Sequence, residues 1–212
     1  RMGFPVPKEV LRQMLSHNEA HRRLNVVGRE LKELKRKSII LAYKKEFENY
    51  APTEEEICED MMLFYFIMYC LERVQFMDSF GTTFIIAQSG WYQAIGQSVK
   101  KICQDEYEVH SELRKEVILT LMNTEIGKRV FEKLKPKMVQ ILEEVVDSEI
   151  RWTVEDLFVN DTKTLVGTNS DLMVKWCLFN AKAVANTLGL KTKFTFPKSN
   201  PIPVLEDWIN MN

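Results

Sequence analysis

MMLFYFIMYCLERVQFMDSFG, residues 61–81, is the stretch on which the fold turns. Coiled into a helix, residues 61–71 place apolar side chains on every side, so other elements must surround this segment. The run is too short for the ~20 residues that span a bilayer, and it stops at Glu72, so a buried helix accounts for it better. Glu72 sits in mid-helix, where a carboxylate has to be paired, protonated or bound to a cation.

Helix signals extend outward from this segment. Ala51-Pro52-Thr53 breaks the chain upstream; Thr53 is an N-cap and Glu56, three residues on, completes a capping box. Ser89-Gly90 ends the element, predicting a helix over roughly 54–88. Val10, Leu11, Met14 and Leu15 have helical spacing within a first helix over 7–36, and 37–49 reads as a second, amphipathic one. Further helices are expected over about 91–122, over 125–158 in one or two pieces, and from Asp171 to Leu188, closed by Gly189. Asn160-Asp161 reads as a turn, and the Pro- and Asn-rich tail as mostly irregular. No strand pattern stands out, which predicts an all-α bundle.

Composition narrows the function classes. Over 212 residues, 45% hydrophobic and 28% charged residues suit one globular domain with a sizeable core. A net charge of -1 offers no basic face for nucleic acid or an anionic membrane, so neither is an expected partner. Cys58, Cys70, Cys103 and Cys177 have no C-x-x-C spacing and no apolar signal segment opens the chain, so reduced thiols in the cytoplasm are the expectation.

QDEYEVH (104–110) lies on the helix after Glu72's. Glu106 and His110 are four residues apart and share a face. One inward Glu and one Glu/His pair on neighbouring long helices match half of a carboxylate-bridged di-metal site. Oxygen-rich ligands with one imidazole suit Fe or Mn over Zn or Cu. The alternative for residues 104–116, a solvated charged face, does not extend to Glu72 among its apolar neighbours.

Several separated motifs carry a family resemblance. LERVQFMDSFG (71–81), KKICQDEYEVH (100–110), EIRWTVEDLF (149–158) and SNPIPVLEDWIN (199–210) resemble, in order, motifs of the class I ribonucleotide reductase small subunit, with Val204 where the closing signature has its first Trp. The resemblance implies a ferritin-like helical bundle, a single domain over 1–212 lacking the family's flexible termini. It implies two ions (Fe/Fe, Mn/Mn or Mn/Fe) held by Glu72, Glu106 and His110. Their reaction with oxygen species yields a radical or metal oxidant that a large catalytic subunit uses to reduce ribonucleotides. Asp105 is implied to orient a metal-bound histidine and carry radical transfer; Phe76, Phe80 and Ile102 are implied to form an apolar pocket around the radical, although plain core packing also explains those three. A homodimer and an activating flavoprotein are further implied partners.

Two features depart from the family pattern. The family spaces its second Glu and His three apart, and an added residue rotates a side chain by about 100° on an ideal helix; a local π-bulge would absorb it. The early E-x-x-H-x-x-x-Y motif corresponds to HNEAHRRLN (17–25), where Glu19 and His21 are two apart and His17 and His21 four apart, leaving either pairing open. Counting four from His21 gives Asn25 in place of the family's tyrosine, and no tyrosine precedes Tyr43. The family's first Asp ligand and its C-terminal relay tail have no counterpart here. Two other readings remain: a ferritin-like di-metal oxidase with its own apolar substrate, and a degenerate, metal-free scaffold subunit.

Overall fold

The computed structural model describes residues 18–210, with side chains from 22 onward. Helix α1 (Asn18–Phe47) is continuous where two helices were expected. No Gly or Pro occurs between residues 29 and 51, so nothing in the backbone interrupts it near 36. The helix ends as Asn49 turns to a positive φ of 51° ahead of Pro52.

Helix α2 (Glu54–Cys70) opens with the expected capping box: Thr53 accepts from the Glu56 N–H and the Glu56 carboxylate from that of Thr53. It runs through a π-turn (Leu71–Gln75) into α3 (Phe76–Gln88), forming the predicted 54–88 rod. The next rod has the same build: α4 (Gln93–Gln104), a π-turn (Asp105–His110) and α5 (Ser111–Met122). Helix α6 (Glu125–Arg151) ends in a third π-turn (Trp152–Leu157). Asn160 and Asp161 turn with positive φ, and α7 (Ser170–Thr187) follows, closed by Gly189 at φ 59°. In the tail a short 3-10 turn leads into α8 (Glu206–Ile209). Among the described residues the only β-type pairing is one isolated bridge, Leu165–Thr168. No described helix is long and apolar enough to cross a membrane.

The α2–α3 rod is central, with α2 packed chiefly on α5 and α6, and α3 on α4 and α7. Apolar burial falls into two clusters along it. One gathers Phe66, Ile67 and Val74 with residues of α1, α5, α6 and α7; the other gathers Met77, Phe84 and Cys103 with Trp176 and the tail's Ile202, Leu205 and Trp208. Polar residues occupy the boundary: Glu72, Gln75 and Asp78 on the central rod and Glu149 and Thr153 on α6 and its π-turn are all buried. Two of the three π-turns coincide with this boundary on the rod and α6. An i→i+5 turn re-aims side chains that an unbroken α-helix would send elsewhere.

The closing signature has a packing role. Trp208 stacks on Phe84 at 5.1 Å, and its Nε1–H donates to Gln88 Oε1 at 3.1 Å. The α4 helix can approach because residue 96 is glycine: a Cβ there would lie 2.5 Å from Ala87 Cβ and 3.3 Å from the Trp208 ring.

Candidate metal centre

Glu72, Glu106 and His110 converge. One ligand atom from each lies within 4.8 Å of the others. Glu72 comes from the rod's π-turn, the other two from the turn Asp105–His110. The added residue between Glu106 and His110 is taken up there: the Ser111 N–H reaches back to Glu106 O, an i→i+5 bond that widens the turn and brings residues four apart closer to eclipsed. His110 Nδ1 lies 3.1 Å from Glu106 Oε2.

Glu72 is 2% exposed. Burial pushes its carboxyl above the ordinary range, against the opposing pull of Arg114, with the Glu106 charge adding to the rise and His110 countering it. Arg114 Nη2 stands 3.3 Å from Glu72 Oε1, while Glu72 Oε2 is buried without a hydrogen-bond partner. A buried carboxylate with one orphaned oxygen, beside a second carboxylate and an imidazole, fits a cation, and the donors suit a hard or borderline ion such as Mn or Fe. Three such side chains could hold one ion. Ligands for a second were expected from Glu19 with His21, or His17 with His21, whose side chains lie outside the described residues.

The remaining expected site residues are placed unevenly. Phe76 and Phe80 are half-buried, their ring centroids 6.0 Å apart. Asp105 is exposed. Ile102 is 53% exposed, on a face of α4 that the described elements leave uncovered. Asn25 is likewise exposed. Next to the ligands, Arg73 packs its guanidinium 3.6 Å over the Tyr107 ring and donates to its hydroxyl at 2.7 Å, tying the two ligand-bearing π-turns together. Cys103, buried close by, has its thiol pushed up to about 12, mainly by burial.

A second buried polar cluster was not anticipated. Arg23 chelates Glu149 (Nε to Oε1 2.9 Å, Nη2 to Oε2 2.7 Å), donates to Ser79 Oγ and Gln75 O at 2.7 Å, and stacks 3.9 Å from the Trp152 ring. Gln75 Nε2 donates to Glu149 Oε1 at 3.1 Å. Asp78 lies beside this group, fully buried, with the Cys177 thiol against it and no well-formed hydrogen bond to either oxygen. Burial raises the Asp78 carboxyl well above the aspartate range; the Glu149 charge adds to the rise and Arg23 opposes it. A signal for Asp78 existed in the sequence, since FMDSFG places an acid in an apolar helix just as LERVQ does. The partners Arg23, Glu149 and Arg114 carried no such signal.

Comparison with protein-family models matches the chain to "Ribonucleotide reductase, small chain" over residues 9–201. A search of curated proteins returns no match.

Proposed function

This chain belongs to the ribonucleotide reductase small-chain family, and from that premise we propose that it is the metal-holding, oxidant-generating small subunit of a class I ribonucleoside-diphosphate reductase. The observation that carries the reading is the convergence of Glu72, Glu106 and His110 on facing helices, with a buried Glu72 oxygen left unsatisfied. Glu72, Glu106 and His110 would hold one ion. Glu19 and His21 of the N-terminal helix would contribute to a second, and the pair would be Fe/Fe, Mn/Mn or Mn/Fe. When bound, such ions supply the redox chemistry that turns an oxygen species into a one-electron oxidant.

The chain's own residues supply the setting. The two carboxylates bring negative charge to offset that of a cation, and the imidazole offers a neutral nitrogen. Arg73 on Tyr107 fixes the two π-turns relative to one another, so the ligands do not depend on a flexible loop. Phe76 and Phe80, one and two turns beyond Glu72, keep the adjoining space apolar. In this reading the oxidant passes to a separate large subunit that binds the nucleotide, with Asp105 assigned to radical transfer. Where the family's tyrosine would sit, this chain has Asn25, which cannot hold a tyrosyl radical, so the one-electron oxidant would have to be held elsewhere in the site. The reading further makes the chain a single helical domain, a homodimer served by an activating flavoprotein, in the cytoplasm, where its four buried cysteines stay thiols.

Loading the chain with Fe(II) or Mn(II) without oxygen and counting bound metal tests the reading, with electron paramagnetic resonance after oxygen exposure. Bound metal that is lost in Glu72→Gln, followed by a radical or mixed-valent signal, supports it. Wild-type binding no greater than that of Glu72→Gln refutes it. One observation favours a second reading, the metal-free scaffold: a protein cation, Arg114, already stands at Glu72. The same metal count separates the two.

A further inference from the structure

Each member of the ligand cluster has an internal partner. Glu106 pairs with His110 at 3.1 Å, and Glu72 with Arg114 at 3.3 Å. Arg114 is four residues beyond His110 in the first turn of α5, so Glu106, His110 and Arg114 follow one another at four-residue steps along the side that meets Glu72. Its side chain is 20% exposed and its Nε is buried without a partner, while the guanidinium carbon is 5.8 Å from the Tyr65 ring. This is a loose accommodation for a half-buried arginine: one contact of moderate length, one orphaned donor, and an aromatic face at the edge of useful range.

We propose that Arg114 is a displaceable counter-ion, a positioning residue that holds Glu72 in the metal-free chain and must move off it before a divalent cation binds. The proposal rests on the metal-site reading above. Two physical facts support it. Glu72 at 3% side-chain exposure has to be protonated or accompanied by a cation, and among the described residues the cation in contact is Arg114. A divalent ion at Glu72 would also face the guanidinium at short range in a poorly screened site, so the two cations compete for one carboxylate. Loose hydrogen bonding keeps the displacement inexpensive, and partial exposure gives the arginine an outward path. Arg114 thereby sets the threshold of free metal at which the site fills.

The test is Mn(II) titration of the full chain by calorimetry, paired with melting curves with and without Mn(II). Arg114→Gln removes the charge and is expected to bind Mn(II) about tenfold more tightly, within the usual range of such couplings. Its metal-free form should melt below wild type and gain more on Mn(II) addition. Arg114→Lys keeps the charge and should stay near wild type, and the exposed Arg36→Gln should change nothing. If the Gln variant does not fold, Arg114→Met, which keeps an apolar stem, replaces it. Equal or weaker Mn(II) binding by the charge-removing variant overturns the counter-ion role while leaving the metal site standing. No binding by wild type or variant overturns the metal reading and this proposal with it.

Discussion

Replacing Arg23 with methionine should be among the most damaging single changes in the described chain. The guanidinium makes three hydrogen bonds to Glu149, one to Ser79 and one to the Gln75 carbonyl, and covers the Trp152 ring. Methionine fills much of the stem's volume and removes every one of these. Glu149, at 0% exposure, is then left with Gln75 Nε2 as its partner among the described residues. Breaking a buried pair by removing one partner costs about 3–5 kcal/mol, because the surviving charge is uncompensated. In a chain of 212 residues that corresponds to a fall in Tm of roughly 6–20 °C.

The loss should depend on pH. Burial holds the Glu149 carboxyl above its ordinary value even with Arg23 in place, and removing Arg23 lifts it further. A carboxyl raised by folding adds stability below its unfolded pKa, and that contribution is lost as pH rises through the folded value. The Arg23→Met deficit should therefore be smaller near pH 4 and grow upward from there. Urea unfolding followed by far-ultraviolet circular dichroism measures this at each pH, with an unchanged m-value showing that only stability moved. Adding Glu149→Met removes the stranded charge, so the double variant should be more stable than Arg23→Met alone at neutral pH. A single-variant cost below about 1 kcal/mol, or a double variant worse than the Arg23 change alone, would refute the buried-pair argument.

Asp78→Asn should raise stability at neutral pH and flatten its decline with rising pH above about 4, since it removes a carboxyl that burial has raised; melting temperatures between pH 5 and 8 check the sign. Gly96→Ala should destabilise by about 1–3 kcal/mol despite alanine's better helix propensity, because its Cβ meets Ala87 and Trp208; denaturant midpoints would show an improvement if the close approach were not real. Trp208→Ala, which empties a stacked site against Phe84, should cost about 3–5 kcal/mol in the same assay. Deleting Glu108 shortens the π-turn and brings Glu106 and His110 to three-residue spacing; the chain should keep its helix content and bind Mn(II), whereas collapse of the circular dichroism signal would show that the turn is not an absorbed insertion.

Local chemistry carried much of the fold. The Thr53 capping box, the Ser89-Gly90 stop, the Asn160-Asp161 turn and Gly189 each act within a few residues, and all appear where the sequence places them. The 36/37 helix boundary was misread because a shift in composition there resembled a break, while no residue in it disfavours helix. At the site, Glu72 was legible from its apolar neighbours and the π-turn from an unusual Glu-to-His spacing. The exposure of Ile102 was not legible, because its spacing suits a covered or an uncovered face equally and only the neighbouring helices set the cover.

The residues alone determined that long helices surround a central apolar rod, that a carboxylate buried in it must be paired, protonated or bound to a cation, and that the order of motifs is that of the ribonucleotide reductase small chain. Which cation answers which carboxylate was decided in three dimensions. Arg23 meets Glu149 across 126 positions and Arg114 meets Glu72 across 42. Helical periodicity relates side chains only a turn or two apart, so pairings at such separations come into being when the helices pack.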